Sequence, residues 1–403
     1  MQIGPDGFFQ LTYCTNIHPG NGWDEVFANL RSYAPTLKAR VAPGIPFGIG
    51  LRLSGQESSE LLQEDRLEQF QAFLTEHGLY VFTLNGFPYG PFHKQPVKAE
   101  VYAPDWRDEE RVQYTLRLIE ILAQLLPSGM EGGISTCPLS YKPWLNVAED
   151  APWERLTHNV VRIAEALVRV KQQQGKVIHL DFEPEPDGLI ENSTEVVRFY
   201  TEWLLVTGAG MLADSMNIPV AEARAHLLDQ IRVCFDTCHM AVAYEDPAEV
   251  LDRFAQVGIQ VGKVQISAAL KIIFPEESAV RPALERELQP FAESVYLHQV
   301  VQRNHDGSFQ QYPDLADALP AIYDRQASQW RIHFHVPIFI EQYGTFFSTQ
   351  DEIQEVFALL RERRFSQHLE IETYTWDVLP PTLKKDLLDS ISREFAWVRH
   401  VFV

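Results

Sequence analysis

The chain is short of cysteine, of basic residues and of long apolar runs, and each shortage closes off a class of protein. Four of its 403 residues are cysteine (Cys14, Cys137, Cys234 and Cys238), and no two form a C-x-x-C pair. So few in so long a chain do not make a disulfide framework, and a reducing compartment is expected. Lys and Arg number 34 against 55 Asp and Glu, a net charge of -21. Proteins that grip phosphate backbones carry a basic stripe, so no nucleic-acid partner is expected. The same balance disfavours anionic membranes. No apolar run reaches the length of a membrane span, and Met-Gln-Ile-Gly-Pro-Asp-Gly at the start lacks the basic and apolar regions of a signal peptide. The expectation is a cytoplasmic protein with no membrane insertion. Also missing are the G-x-S-x-G elbow, the G-x-x-x-x-G-K-[ST] phosphate loop and H-E-x-x-H. Gly48-Ile49-Gly50 lacks the rest of a dinucleotide fingerprint.

What is there is a large apolar content, 45% of residues, enough for a sizeable core. Short β-type runs alternate with long amphipathic stretches. The runs fall at 8–13, 47–53, 80–84, 133–137, 177–182, 232–235, 263–266 and 369–374, eight in all; helical patterns include 111–126, 153–173, 193–207, 246–257 and 352–363. Such alternation implies right-handed crossovers and a parallel sheet. Eight repeats predict an α/β fold of the (β/α)8 TIM barrel class, read as a single domain spanning 1–403. One stretch departs from the alternation. Residues 298–311 read as two β-like runs around Asn304-His305-Asp306-Gly307, a hairpin signal. A further apolar run, 331–340, carries His333 and His335. Both are expected in a long insertion between strands seven and eight.

Parallel barrel strands are buried on both faces and should read as nearly continuous apolar runs, so ionisable residues at their C-terminal ends call for a reason. In Val177-Ile178-His179-Leu180-Asp181-Phe182-Glu183-Pro184-Glu185-Pro186, His179, Asp181 and Glu183 share one face, and the prolines end the strand. Acids so close repel one another unless a cation neutralises them. Glu185 is the one that a solvated loop would also explain. The sixth run gives Asp236-Thr237-Cys238-His239, where a carboxylate and an imidazole suit Zn, Mn, Fe or Co; an N-cap Asp beside a surface His is the plain alternative. Glu370 and Glu372 alternate on the last run, as do His333 and His335 on the extra one; the seventh offers Gln265 and Ser267. Cys234 and Cys238 are not expected as ligands.

In this order, Glu183, Asp236-x-x-His239, a polar residue on the seventh strand and Glu372, the chain resembles the xylose-isomerase-like superfamily. That group includes sugar-phosphate isomerases, ketose 3-epimerases and AP endonucleases of the endonuclease IV type. Cys234-Phe235-Asp236-Thr237-Cys238-His239 is similar to the endonuclease IV version of that strand. The resemblance implies metal ligands at Glu183, Asp236 and Glu372, with Gln265 where the superfamily has a histidine. It implies a further metal site at His239 and His335, with His333 in place of an aspartate. His18 and Asn85 are the nearest matches to the early-strand histidines. Thr12-Tyr13-Cys14-Thr15-Asn16-Ile17-His18-Pro19-Gly20, the run from His179 to Pro186, and Glu372-Thr373-Tyr374-Thr375-Trp376 together resemble the EboE family of bacterial metabolite traffic proteins.

Three functions compete. In the leading one, a divalent metal ion (Mn, Zn, Co or Fe) assists an isomerase or epimerase acting on a polar small molecule. Glu183 and Glu372 serve as base and acid, and His18, Asn85, His179 and His333 bind substrate. The others are a phosphoesterase of the endonuclease IV kind and a non-catalytic metabolite carrier. A homo-oligomer is left open.

Overall fold

The computed structural model describes residues 1–402 except 92, 94–95, 146–151, 276–277, 378 and 380–385. Eight strands run parallel: β1 (Phe9–Tyr13), β2 (Phe47–Arg52), β3 (Leu79–Asn85), β4 (Glu131–Thr136), β5 (Val177–Phe182), β6 (Ile231–Asp236), β7 (Val261–Ile266) and β8 (His368–Ile371). Each pairs with its neighbour in sequence from β2 to β8, and β8 pairs with β1. The ring closes between β1 and β2 through one parallel bridge, Cys14 with Gly50. Thr12 Oγ1 adds to the seam by donating to Gly48 O at 2.8 Å. Gly50 is required there, because a Cβ would overlap Glu370 Oε1 and crowd the Tyr13 carbonyl. The fold is an α/β TIM barrel.

The helices form because their apolar positions recur at helical spacing and their ends carry stop signals. The helix Trp153–Gln174 buries Leu156, Val160, Ile163, Ala164 and Leu167, and ends at Gly175 with φ +67°. Among the described residues no single helix is long and apolar enough to cross a membrane. The last barrel strand is shorter than its apolar pattern: β8 stops at Ile371, and Tyr374–Asp377 forms a 3-10 turn. Glu372 therefore lies just past the strand.

Between β7 and β8 the chain builds a second sheet of six strands, all antiparallel. The expected hairpin is Val300–Asn304 with Phe309–Tyr312, turning at Gly307 with φ +85°. The long strand Ala327–Val336 lies between Val300–Asn304 and Ala268–Ile273. Ala268–Ile273 begins two residues after β7 ends, which fixes this sheet to the barrel mouth. Register then slips: Ile332 faces Leu270 but Val336 faces Ala268. Four steps on one strand match two on the other, so residues 333–335 leave that ladder and are free to aim elsewhere.

Candidate metal centre

Asp236 is the last residue of β6, and Glu183 and Glu372 follow β5 and β8, so three C-terminal strand ends deliver three acids to one place. Their carboxylate oxygens lie within 4.8 Å of one another, and all three residues are buried. The same closeness holds for Asp236, His239 and His335; for Glu185, His239 and His333; and for Cys238, His333 and His335. These overlapping sets form one continuous cluster. Glu185, which a solvated loop would have exposed, is 5% exposed. Cys238 stands within reach of two histidines, whereas Cys234 belongs to none of the sets.

The histidine tautomers follow from their partners. His239 Nδ1 is 3.1 Å from the Pro184 carbonyl, and His335 Nδ1 is 2.8 Å from that of Glu372. A carbonyl only accepts, so both Nδ1 atoms carry the proton. His333 Nδ1 is 2.8 Å from Gln299 Oε1, and the Gln299 amide is oriented because its Nε2 donates to Pro186 O at 3.0 Å. In the neutral rings every Nε2 is then a lone pair. Burial holds His239 and His333 well below the ordinary histidine pKa and lowers His335 as well. Yet His239 Nε2 and His333 Nε2 stand 3.1 Å apart. Two lone pairs so placed repel unless a cation lies between them. Two nitrogens bound tetrahedrally at about 2.0–2.1 Å are themselves roughly 3.3 Å apart.

The acids meet the complementary problem. Burial, then neighbouring Asp236, pushes Glu183 well above the usual carboxylate range. Burial, then Glu183 and Asp236, does the same to Glu372, and burial dominates at Glu185. Glu183 Oε2, Glu185 Oε1, Asp236 Oδ2 and His335 Nε2 are all buried without a hydrogen-bond partner among the described residues. Asp236 Oδ1 is committed, capping the helix Thr237–Val242 through His239 N and accepting from Ser267 Oγ at 2.6 Å. It is an N-cap and a cluster member at once. Glu372 Oε1 accepts from Asn16 Nδ2 at 2.8 Å and Asn85 Nδ2 at 2.9 Å.

Above the cluster lies an open cavity. Asn85, Glu183, His239, His333, His335 and Glu372 line it, together with Glu185, Asn16 and Gln299, which sequence reasoning had not assigned. Four expected residues do not line it, and one of them is Asp236, fully buried within the acid cluster. His18 is stacked on Tyr33 and bonded through Nε2 to Tyr13 Oη at 3.0 Å. His179 lies deeper in the barrel, 2.6 Å from Asp181 and stacked on His368, with Gly133 and Gly262 leaving room for the pair. Gln265 is fully buried in register with Asp236 and Glu370, and neither of its amide atoms has a partner among the described residues. It sits beside the acids, below the cavity wall.

No known family model matches the chain, and no curated protein matches it in sequence. Similar solved structures include a xylose isomerase-like TIM barrel protein from Mycobacterium smegmatis in complex with magnesium, 11% identical with a TM-score of 0.48 over 98% of this chain and 96% of that one. Another is the IOLI protein with a binding zinc atom, 11% identical with a TM-score of 0.46 over 98% of both chains. A third is the probable 3-DHS dehydratase AsbF from Bacillus anthracis, involved in petrobactin synthesis, 12% identical with a TM-score of 0.43 over 96% and 98%. The barrel assignment for this chain rests on its own strand pairing.

Proposed function

We propose that the chain is a divalent-metal-dependent enzyme of the isomerase or epimerase type, acting on a polar small molecule at the barrel mouth. One observation carries this reading: three histidines have their Nδ1 protons committed to oxygen acceptors, while their Nε2 atoms converge among four carboxylates. Ligating histidines are held in this way, with the far nitrogen fixed by an acceptor. The donor set therefore fits a metal. Glu183, Asp236, Glu372 and His335 would hold one ion, and Glu185, His239 and His333 stand ready beside it, with Gln265 adjoining. Mixed oxygen and nitrogen donors suit Mn, Zn, Co or Fe.

When bound, such an ion polarises a carbonyl or hydroxyl oxygen of the substrate as a Lewis acid. The protein supplies the rest. Asn16 and Asn85 donate to Glu372 Oε1, which favours its charged form. Glu183 Oε2 has no donor among the described residues, and burial and Asp236 outweigh the opposing pull of Lys263, so it is the group that takes up and returns a proton. Asn85 and His333, both on the cavity wall, orient substrate oxygens. The EboE-type resemblance supplies the setting in which we place this chemistry, a pathway that makes or moves a metabolite.

The second ligand group, Glu185, His239 and His333, favours a runner-up, a two-ion phosphoesterase. Elemental analysis of the purified protein separates the readings. One Mn, Zn, Co or Fe per chain, lost in Asp236→Ala, supports the isomerase type; two per chain support the phosphoesterase. A protein that takes up none leaves the carrier reading.

A further inference from the structure

Glu394 sits where helical spacing calls for an apolar residue. The helix Leu387–Phe402 buries Ile391, Phe395, Val398 and Phe402 along one stripe, and Glu394 belongs to the same stripe, 1% exposed. A buried acid facing a core calls for a reason, and its partners supply one. Glu394 Oε1 accepts from Thr373 Oγ1 at 2.6 Å and from Ile338 N at 3.4 Å. Thr373 follows Glu372 directly, and Ile338 lies three residues past His335.

Both of those ligands stand where a sheet gives out. β8 ends at Ile371, with one further bond from Glu372 N to Ile266 O, and residues 333–335 have left their ladder with Ala268–Ile273. Buried backbone groups there still need partners, and side chains provide them. Thr375 Oγ1 donates to the His335 carbonyl, Tyr343 Oη to that of Pro337 at 2.8 Å, and Gln350 Nε2 to that of Ile338 at 2.6 Å. Glu394 reaches in from a third element and grips the flank of Glu372 and the flank of His335 through one oxygen. We infer, resting on the metal reading above, that Glu394 is a positioning residue of the metal centre. It fixes Glu372 and His335 relative to each other, so that the ion meets two ligands already in place.

The test titrates Mn into the full chain, reads free Mn by its paramagnetic resonance signal, and measures fold stability separately in chelator. Glu394→Leu and Thr373→Val should each weaken Mn binding about tenfold or more. The double variant should be no weaker than the worse single one, because both changes break the same link. Glu394→Gln keeps an acceptor oxygen for Thr373 and Ile338 and should bind Mn as the wild type does. Val398→Ala, on the same stripe, opens a gap in the core and should lower stability while leaving Mn affinity unchanged. If Glu394→Leu does not fold, Thr373→Val and Glu394→Gln carry the test. Wild-type affinity in Thr373→Val, a Glu394→Gln that binds Mn tenfold more weakly, or an equal loss in Val398→Ala would overturn the inference and leave the metal reading standing. A wild type that takes up no Mn would overturn both.

Discussion

Two polar groups are buried along one barrel axis, and they solve the problem of buried charge differently. In the middle of the barrel, Lys263 Nζ lies 2.6 Å from Glu370 Oε2 and 3.1 Å from Ser135 Oγ, with Lys263 and Glu370 fully buried. Burial opposes the Lys263 charge, and the Glu370 carboxylate more than restores it, so the ammonium is held above its ordinary pKa. Beside it His179 and Asp181 are both driven toward neutrality by burial and bond to each other. Two residues after Glu370 and just past β8, Glu372 joins a cluster of four acids and three neutral imidazoles, in which Glu183 and Glu372 feel Lys263 only as a weaker pull behind burial and the acids' mutual repulsion. The lower group brings its own cation. The upper group has ligand atoms in its place, and this difference points to a site rather than a core.

The comparison can be broken by removing one member of each group. Lys263→Met strands a buried carboxylate and should cost about 3–5 kcal/mol in chemical denaturation, while Lys263→Met with Glu370→Leu should recover most of that. An equally unstable double variant would mean the pair is not the cause. At the mouth the sign reverses: Asp236→Ala removes one of several like charges, so in chelator it should not lower the melting temperature beyond the loss of one helix cap, about 1 kcal/mol. With metal at a hundred times its Kd, wild type should gain about 2.7 kcal/mol that this variant lacks. Equal metal-dependent shifts in the two proteins would contradict the site.

A smaller effect belongs to Gln299, whose Oε1 holds the His333 proton. Gln299→Ala should weaken metal binding about 10–100-fold without changing fold stability in chelator, because only the ligand's orientation is lost. Unchanged affinity would remove His333 from the ligand set. The mildest test concerns Glu394, a buried acid outside the cluster that accepts from Thr373 Oγ1 at 2.6 Å. Burial pushes it up to about 8 from 4.5. The folded state then holds a proton that the unfolded state releases, so stability falls as pH rises from 4.5 to about 8. Glu394→Gln should flatten that slope in unfolding curves between those limits; an unaltered slope would assign it to other groups.

How far the sequence reached follows from the same geometry. Strand alternation located all eight barrel strands, polar residues at strand ends pointed to Glu183, Asp236 and Glu372, and alternation on the extra run pointed to His333 and His335. Period two tells which face a residue takes and not how deep it sits. His179 and Glu183 share a face, yet His179 stacks on His368 inside the barrel while Glu183 reaches the cavity. Glu185 lay past the strand end, where alternation no longer speaks, and only the structure turns it inward. The pairing of Lys263 with Glu370 depends on register between β7 and β8, in which His368 faces Lys263 and Glu370 faces Gln265. No single-strand pattern contains that. His18 fell on a matching motif, but its ring is spent on Tyr13 and Tyr33.

The central claim is that the mouth cluster is built for a cation and the mid-barrel cluster is not. Crystals grown with zinc and measured on both sides of its absorption edge test this most directly. An anomalous peak is predicted among Glu183, Asp236, Glu372 and His335, with His335 Nε2 about 2.0–2.1 Å from it and no peak near Lys263. A mouth without any peak at saturating zinc, or zinc bound only elsewhere on the surface, would contradict the account.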